Sequence, residues 1–290
     1  MQVLVLIANP AEPALDDRAA KRVAEAVGGS FDWLAPRLAC EIANPKSSEP
    51  ERVAREALAG LPVDVALLPE TKRRKRLLVA DMDSTMINEE SIDELGAALG
   101  IKDEIAAITE RAMRGELDFE GALTTRVALL KGLDLKTIDE IRRERITLAP
   151  GGRALVQTMR EYGAHCALVS GGFTLFAEYY GKRIGFETVK ANVLRIADGR
   201  LTGEVEQPIV GRAAKLDLLK SLTAGLGLSA METLAVGDGA NDLDMIRAAG
   251  LGVAMHAKPI VAAEARVRIE HGDLTALLYL QGYRQDEFVL

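Results

Sequence analysis

Two aspartates two residues apart, Asp81 and Asp83, stand in the run D-M-D-S-T at 81–85, directly after the apolar run LLVA. After two later apolar runs come Ser170-Gly171-Gly172 and G-D-G-A-N-D at 237–242, which holds Asp238, Asn241 and Asp242. Lys215 lies on a helical segment between them. Each group alone is compatible with ordinary turn and helix-cap use. Together they place four carboxylates, a hydroxyl and a cation where apolar runs end. Unaided carboxylates would repel a phosphate: a like-charge pair about 4 Å apart costs roughly 1 kcal/mol in water and roughly 4 at an effective dielectric of 20. A divalent cation removes the conflict. Ligands that are all oxygen favour a hard ion, and Mg²⁺ commonly takes one or two carboxylates plus a substrate phosphate. The chemistry that fits is phosphoryl transfer, with Asp81 attacking phosphorus and Asp83, facing the same way, passing a proton to the leaving oxygen. Lys215 and the metal would stabilise the equatorial oxygens. Ser170 and the backbone N–H groups of Gly171 and Gly172 at a helix start would hold an anion.

The elements that must position these residues follow from hydrophobic periodicity. From residue 77 onward, short apolar runs (LLVA, CALV, TLAV, LGVAM at 251–255, VRI near 268) alternate with helix-period segments. That is the signature of an α/β fold with a parallel sheet and crossover helices, whose ligands bind beyond the carboxyl ends of the strands. Between the first two runs, about sixty residues, 89–148, read as an inserted helical cap. Its apolar spacing is helical at Ile92, Leu95 and Leu99, at Ile105 and Ile108, and at Leu123, Val127 and Leu130. Residues 192–205 are expected to form an edge hairpin turning at Asp198-Gly199. Residues 1 to about 70 read strand, helix, strand, helix, strand, with a middle segment near 31–42, and suggest a small α+β module of ferredoxin-like order. The basic run 72–76 is expected to be a solvated junction. It divides the chain into an N-terminal domain, 1–72, and a catalytic domain, 73–290.

Composition narrows the function classes. With 48% hydrophobic and 27% charged residues, a chain of 290 residues can bury a sizeable core. Its net charge of −7 provides no positive field for nucleic acid. Two cysteines, Cys40 and Cys166, build no disulfide framework and fit a reducing cytoplasm. The opening apolar run has no basic residue ahead of it, which argues against a signal peptide, and no stretch predicts a membrane span. His165, His256 and His271 lack metal-ligand spacing and are expected to be structural.

The motifs D-x-D-S-T, S-G-G, the lysine and G-D-G-x-N-D, in this order, resemble those of haloacid dehalogenase superfamily phosphatases. Residues 86–96 (MINEESIDELG) and 111–133 (RAMRGELDFEGALTTRVALLKGL) resemble the cap of the phosphoserine phosphatases in that superfamily. The resemblance covers about residues 77–273. It implies a Rossmann-like core, with Asp81 as nucleophile, Asp83 as general acid and then base, and Ser170 and Lys215 on the phosphate. It places Mg²⁺ on Asp81, the backbone carbonyl of Asp83 and Asp238, Asn241 near the phosphate, and Asp242 as a direct or indirect metal partner. In the cap it implies Glu90 and Arg126 as partners of the substrate's ammonium and carboxylate, and Met113 and Phe119 as apolar walls. By themselves the first two would be surface charges and the last two core residues. A free amino-acid phosphate does require one acidic and one basic complement. Ser91 stands where many members have cysteine.

The activity so implied is Mg²⁺-dependent hydrolysis of O-phospho-L-serine through an aspartyl phosphate, the last step of L-serine biosynthesis. A phosphotransferase using an alcohol such as homoserine would share the intermediate. A phospho-receiver and an amino-acid sensor are readings from other classes; Asp83 and the complete motif set argue against them. The N-terminal module resembles ACT-like regulatory amino-acid-binding domains. It carries no recognisable ligand loop, so serine sensing, homodimer formation and stabilisation of the core stand as alternatives for it.

Overall fold

The computed structural model describes residues 1–113 and 116–290, the side chains of Ala112 and Met113 excepted. The chain begins with β1 (Gln2–Ala8), α1 (Asp17–Val27), β2 (Phe31–Ala35), β3 (Ala39–Ala43), α2 (Pro50–Leu58) and β4 (Val63–Pro69). The strands pair antiparallel in the order β2-β3-β1-β4, which is the ferredoxin-like order. The middle segment near 31–42 is thus two strands, not one. Arg37, at φ +65° in the tight turn, breaks the apolar run. Period-two alternation gives β1 two buried faces. Leu4 and Leu6 pack with Ala20 and Val23 of α1, while Val3, Val5 and Ile7 join the large cluster that holds Leu277 and Leu280 near the C-terminus.

The second unit contains β5 (Leu77–Ala80), the helices α3 (Ser91–Ala98), α4 (Lys102–Met113), α5 (Phe119–Leu129) and α6 (Leu135–Glu144), then α7 (Gly152–Glu161) and β6 (His165–Phe173). It continues through α8 (Thr174–Ile184), β7 (Thr188–Asn192), β8 (Leu194–Ala197), β9 (Arg200–Val205), α9 (Arg212–Gly225) and β10 (Thr233–Gly237). It closes with α10 (Leu243–Ala248), β11 (Leu251–Met255), α11 (Pro259–Glu264), β12 (Val267–Ile269) and α12 (Ala276–Leu280). Six strands form a parallel sheet in the order β12-β11-β10-β5-β6-β7. Both faces are covered, as near-continuous apolar strands require. Leu77, Val79, Ala167 and Ala235 pack against Leu219 and Met245; Leu78, Ala80, Leu168 and Val236 face Leu155, Phe176 and Leu278.

Helices α3 to α6 make the cap. Its entry and exit run side by side, with Asn88 N–H donating to Thr147 O (3.1 Å) and Ala149 N–H to Met86 O (3.0 Å). Asp118 and Asp134 cap α5 and α6 by accepting from the N–H groups of Gly121 and Thr137. The predicted stripe of α3 ends early: Ile92 and Leu95 are buried, but Leu99 is 38% exposed at the C-cap. The hairpin turns at Asp198-Gly199 as expected, but β8 and β9 form a sheet of their own. They buttress the cap through Gly132 N–H to Leu201 O (2.8 Å) and Leu201 N–H to Leu133 O (2.9 Å).

The basic run 72–76 is not a solvated junction throughout. Arg73 binds Glu41 (2.6 Å) and the carbonyls of Tyr279 and Leu280 (both 3.3 Å). Arg74 lies over the rings of Tyr283 and Tyr162. Lys75 is buried, donates to the carbonyls of Lys72 and Met231, and has its pKa pushed down to about 8 by burial. Long basic side chains here carry their stems across apolar surface and their heads to carbonyls. No described helix is long and apolar enough to cross a membrane.

Candidate active site

Strands β5, β6 and β10 end side by side, so the residues after them share one edge of the sheet. A cavity of about 350 Å³ opens there beneath the cap. Of the sequence-predicted residues, Asp81, Asp83, Glu90, Phe119, Arg126, Gly171, Gly172, Asp238 and Asn241 line it. Ser170, Lys215 and Asp242 are fully buried beneath it. The side chain of Met113 lies outside the described residues.

Lys215, on the first turn of α9, reaches up between two carboxylates. Its Nζ donates to Asp81 Oδ1 (2.6 Å) and Asp242 Oδ1 (2.7 Å). Burial alone would lower its pKa; Asp242 and Asp81 outweigh that and hold it raised, so it is a fixed cation. Asp242 Oδ2 accepts the N–H of Gly239 (3.1 Å). The close fold-back of that carboxylate explains Gly237: a Cβ there would fall 2.4 Å from Asp242 Cγ.

Asp83 is held on both oxygens. Oδ1 accepts the N–H of Ser91 (2.6 Å) and Oδ2 the hydroxyl of Ser170 (3.1 Å), which in turn accepts the N–H of Gly172 (2.8 Å). Burial, with the charges of Glu90 and Asp81 and against the hydrogen bonding from Ser91, pushes its pKa up to about 7. Gly172 is needed here too, since a Cβ would lie 2.6 Å from Asp83 Oδ2. Burial and the neighbouring carboxylates therefore favour the protonated form of Asp83, the form a general acid needs.

The carboxylates of Asp81, Asp238 and Asp242 each offer an oxygen within 4.8 Å of the others. Three convergent buried oxygens fit a hard divalent cation. Burial and the neighbouring Asp81 push Asp238 up to about 6 and Asp242 up to about 7. A cation must displace those protons, so its binding is expected to tighten as pH rises. In the cation-free protein the folded state holds these protons between the ordinary value of 3.8 and about 7, so the pair subtracts stability as pH climbs through that window. Added Mg²⁺ is therefore expected to raise Tm more at pH 8 than at pH 5.5, and to bind at least about tenfold more tightly there. Thermal shift and calorimetry check this; equal shifts at both pH values would contradict it.

The cap supplies the opposite wall. Glu90 stands at the N-cap of α3, where Ser84 Oγ donates to its Oε1 (2.9 Å). Arg126, on α5, donates to Thr109 Oγ1 (3.3 Å) and the carbonyl of Ala122 (3.3 Å). Burial lowers its pKa against the pull of Glu90, Asp93 and Asp83, and a guanidinium stays charged regardless. Phe119 crosses the cavity so closely that a Cβ on Gly171 would lie 3.1 Å from its Cζ.

Four contributors were missed in the sequence. Thr109 supports Arg126, and Ser84 supports Glu90. Asn192, at the end of β7, donates to the carbonyls of Gly171 and Val210 and accepts the N–H of Val210 (2.7 Å), fixing the loop before α9. Lys258 lines the cavity with Nζ 3.7 Å from Asp238 Oδ2. A signal existed for Lys258, which follows the apolar run 251–255 at the same sheet edge. Two of the three histidines have ring bonds to the framework: His165 to Thr188 and His256 to the carbonyl of Gly272.

Comparison with known proteins places the chain in a family. Residues 78–247 match the family model of haloacid dehalogenase-like hydrolases. A phosphoserine phosphatase of Streptomyces coelicolor is 46% identical over 244 residues, which are 83% of this chain and 59% of that protein. The chain thus matches less than two thirds of that relative's length. A phosphoserine phosphatase of Polaromonas sp. is 46% identical over 231 residues, 78% of this chain and 98% of that protein. Among solved structures, a phospho-aspartyl intermediate analogue of phosphoserine phosphatase superposes with a TM-score of 0.66 at 38% identity, over 71% of this chain and 98% of that one. Asp81 and Asp83 after β5 and the cap above them lie within the residues that match the family model, and the chain belongs to the haloacid dehalogenase-like hydrolase family.

Proposed function

We propose that the protein hydrolyses O-phospho-L-serine to L-serine and phosphate through a phosphate ester on Asp81. The observation that carries this is the convergence of Glu90 and Arg126 on the cavity that Asp81 and Asp83 also line. Asp81 faces the cavity, and its carboxylate is the oxygen nucleophile. As its oxygen bonds to phosphorus, the ester P–O bond breaks and Asp83 gives its proton to the departing serine oxygen. Water then attacks the phosphorus, Asp83 takes a proton from it, and the Asp81 carboxylate leaves. Lys215 holds Asp81 in place, and Ser170 holds Asp83. Asp81, Asp238 and Asp242, with the carbonyl of Asp83, would hold Mg²⁺, which would supply charge neutralisation for the phosphate oxygens. Arg126 pairs with the substrate carboxylate, Glu90 with its ammonium, and Phe119 walls the methylene. Asn241 flanks the phosphate end. Two buried free thiols, Cys40 and Cys166, suit a reducing compartment such as the cytoplasm, and the reaction proposed is the last step of serine synthesis.

The test is phosphate release with Mg²⁺ from O-phospho-L-serine, O-phospho-L-threonine, phosphoethanolamine and a sugar phosphate. Phosphoserine is expected to lead, with phosphoethanolamine far behind because it has no carboxylate for Arg126. A flat profile would refute the substrate. Transfer of phosphate to added homoserine in place of release would assign a phosphotransferase.

A further inference from the structure

Asp64 belongs to β4 of the N-terminal unit and is buried, yet among the described residues no cation pairs with it. Its Oδ1 accepts the backbone N–H of Glu270 (2.8 Å) and His271 (3.2 Å), and its Oδ2 those of His271 (3.2 Å) and Gly272 (2.7 Å). Three successive N–H groups form a concavity for an anion, and a side chain from the other unit fills it. Gly272 keeps the approach open, since a Cβ there would stand 3.2 Å from Asp64 Oδ2.

The turn so fixed is bonded to the catalytic edge. The carbonyl of Gly272 meets His256 Nε2 (2.9 Å), and His256 N–H donates to Ile269 O (2.9 Å). His256 has φ +44°, a conformation that a residue with a side chain keeps only where its surroundings impose it. Two residues on, the N–H of Lys258 donates to Asp238 O (3.1 Å) and its Nζ approaches Asp238 Oδ2. Direct bonds therefore run from Asp64 through the 270–272 turn, His256 and Lys258 to Asp238.

We propose that Asp64 is a positioning residue for the catalytic edge: by fixing the 270–272 turn it sets the 256–258 loop, and through it the carboxylate of Asp238 that binds the cation. The N-terminal unit thereby contributes to cation affinity. This rests on cation use by Asp81, Asp238 and Asp242, proposed above, and not on the identity of the substrate. Arg73 is the comparator, because its bonds to Glu41, Tyr279 and Leu280 join the same two units without reaching the 256–258 loop.

The experiment is Mg²⁺ titration by calorimetry on the full chain carrying Asp64→Asn, His256→Ala, both together, or Arg73→Ala. Asp64→Asn keeps the volume and turns an acceptor into a donor facing N–H groups. It is expected to weaken Mg²⁺ binding about fivefold, a size usual for a substitution that acts through intervening contacts. His256→Ala should do the same, and the double variant should lose little more than either alone. Arg73→Ala should lower Tm and leave Mg²⁺ affinity unchanged. Unchanged affinity in Asp64→Asn, or an equal loss in Arg73→Ala, overturns the proposal. Should Asp64→Asn fail to fold, the contrast between His256→Ala and Arg73→Ala decides in the same way. A wild-type protein that binds Mg²⁺ but spares phosphoserine would overturn the proposed substrate and leave this comparison intact.

Discussion

Replacing Asp81 by asparagine is expected to cost at least about 10⁴-fold in turnover, the scale on which loss of a covalent nucleophile is felt. An amide nitrogen or carbonyl cannot attack phosphorus and leave again as a carboxylate does. The effect is chemical, because Lys215 retains Asp242 at 2.7 Å and is not left as an unpaired buried cation. The variant also loses one candidate cation ligand, so it must be assayed at saturating Mg²⁺. Two measurements check the role. Steady-state phosphate release should vanish in Asp81→Asn, and acid-quenched wild-type protein should carry one added phosphoryl group on the peptide containing residue 81. Appreciable turnover in the variant, or a phosphoryl group on another peptide, would remove Asp81 from its place.

Arg126→Ala should act on the substrate's other end. A guanidinium binding a carboxylate in a partly enclosed cavity contributes about 2–3 kcal/mol, which is about 30- to 150-fold in kcat/KM. The loss should fall on phosphoserine and spare p-nitrophenyl phosphate, which has no carboxylate for Arg126 to bind. Since Arg126 holds the substrate alike before and during reaction, most of the loss should be in KM. Equal losses on both substrates would show that Arg126 supports the cap through Thr109 and Ala122 and does not read the substrate.

What could be read from the sequence was whatever depends on period and local order. Apolar runs ending in Asp81, Ser170 and Asp238 implied parallel strands that deliver those residues to one edge, because a parallel sheet puts all its strand ends on the same side. The helical spacing of 89–148 implied a cap for the same local reason. Tertiary structure decided what depends on partners far away in the chain. Lys215 lies 134 residues from Asp81, and only the sheet order makes it a bridge from Asp81 to Asp242. The basic run 72–76 looked solvated because charge is normally exposed, and only the packing of two units over it supplies the carbonyls, rings and Glu41 that hold it. Asp64 is one polar residue inside β4, and it stands 208 residues from Gly272, whose N–H it accepts. Local pattern determines which elements form and which way their ends point. The pairing of buried charges is set by long-range packing, because a buried charge is stable only where some distant segment brings its partner.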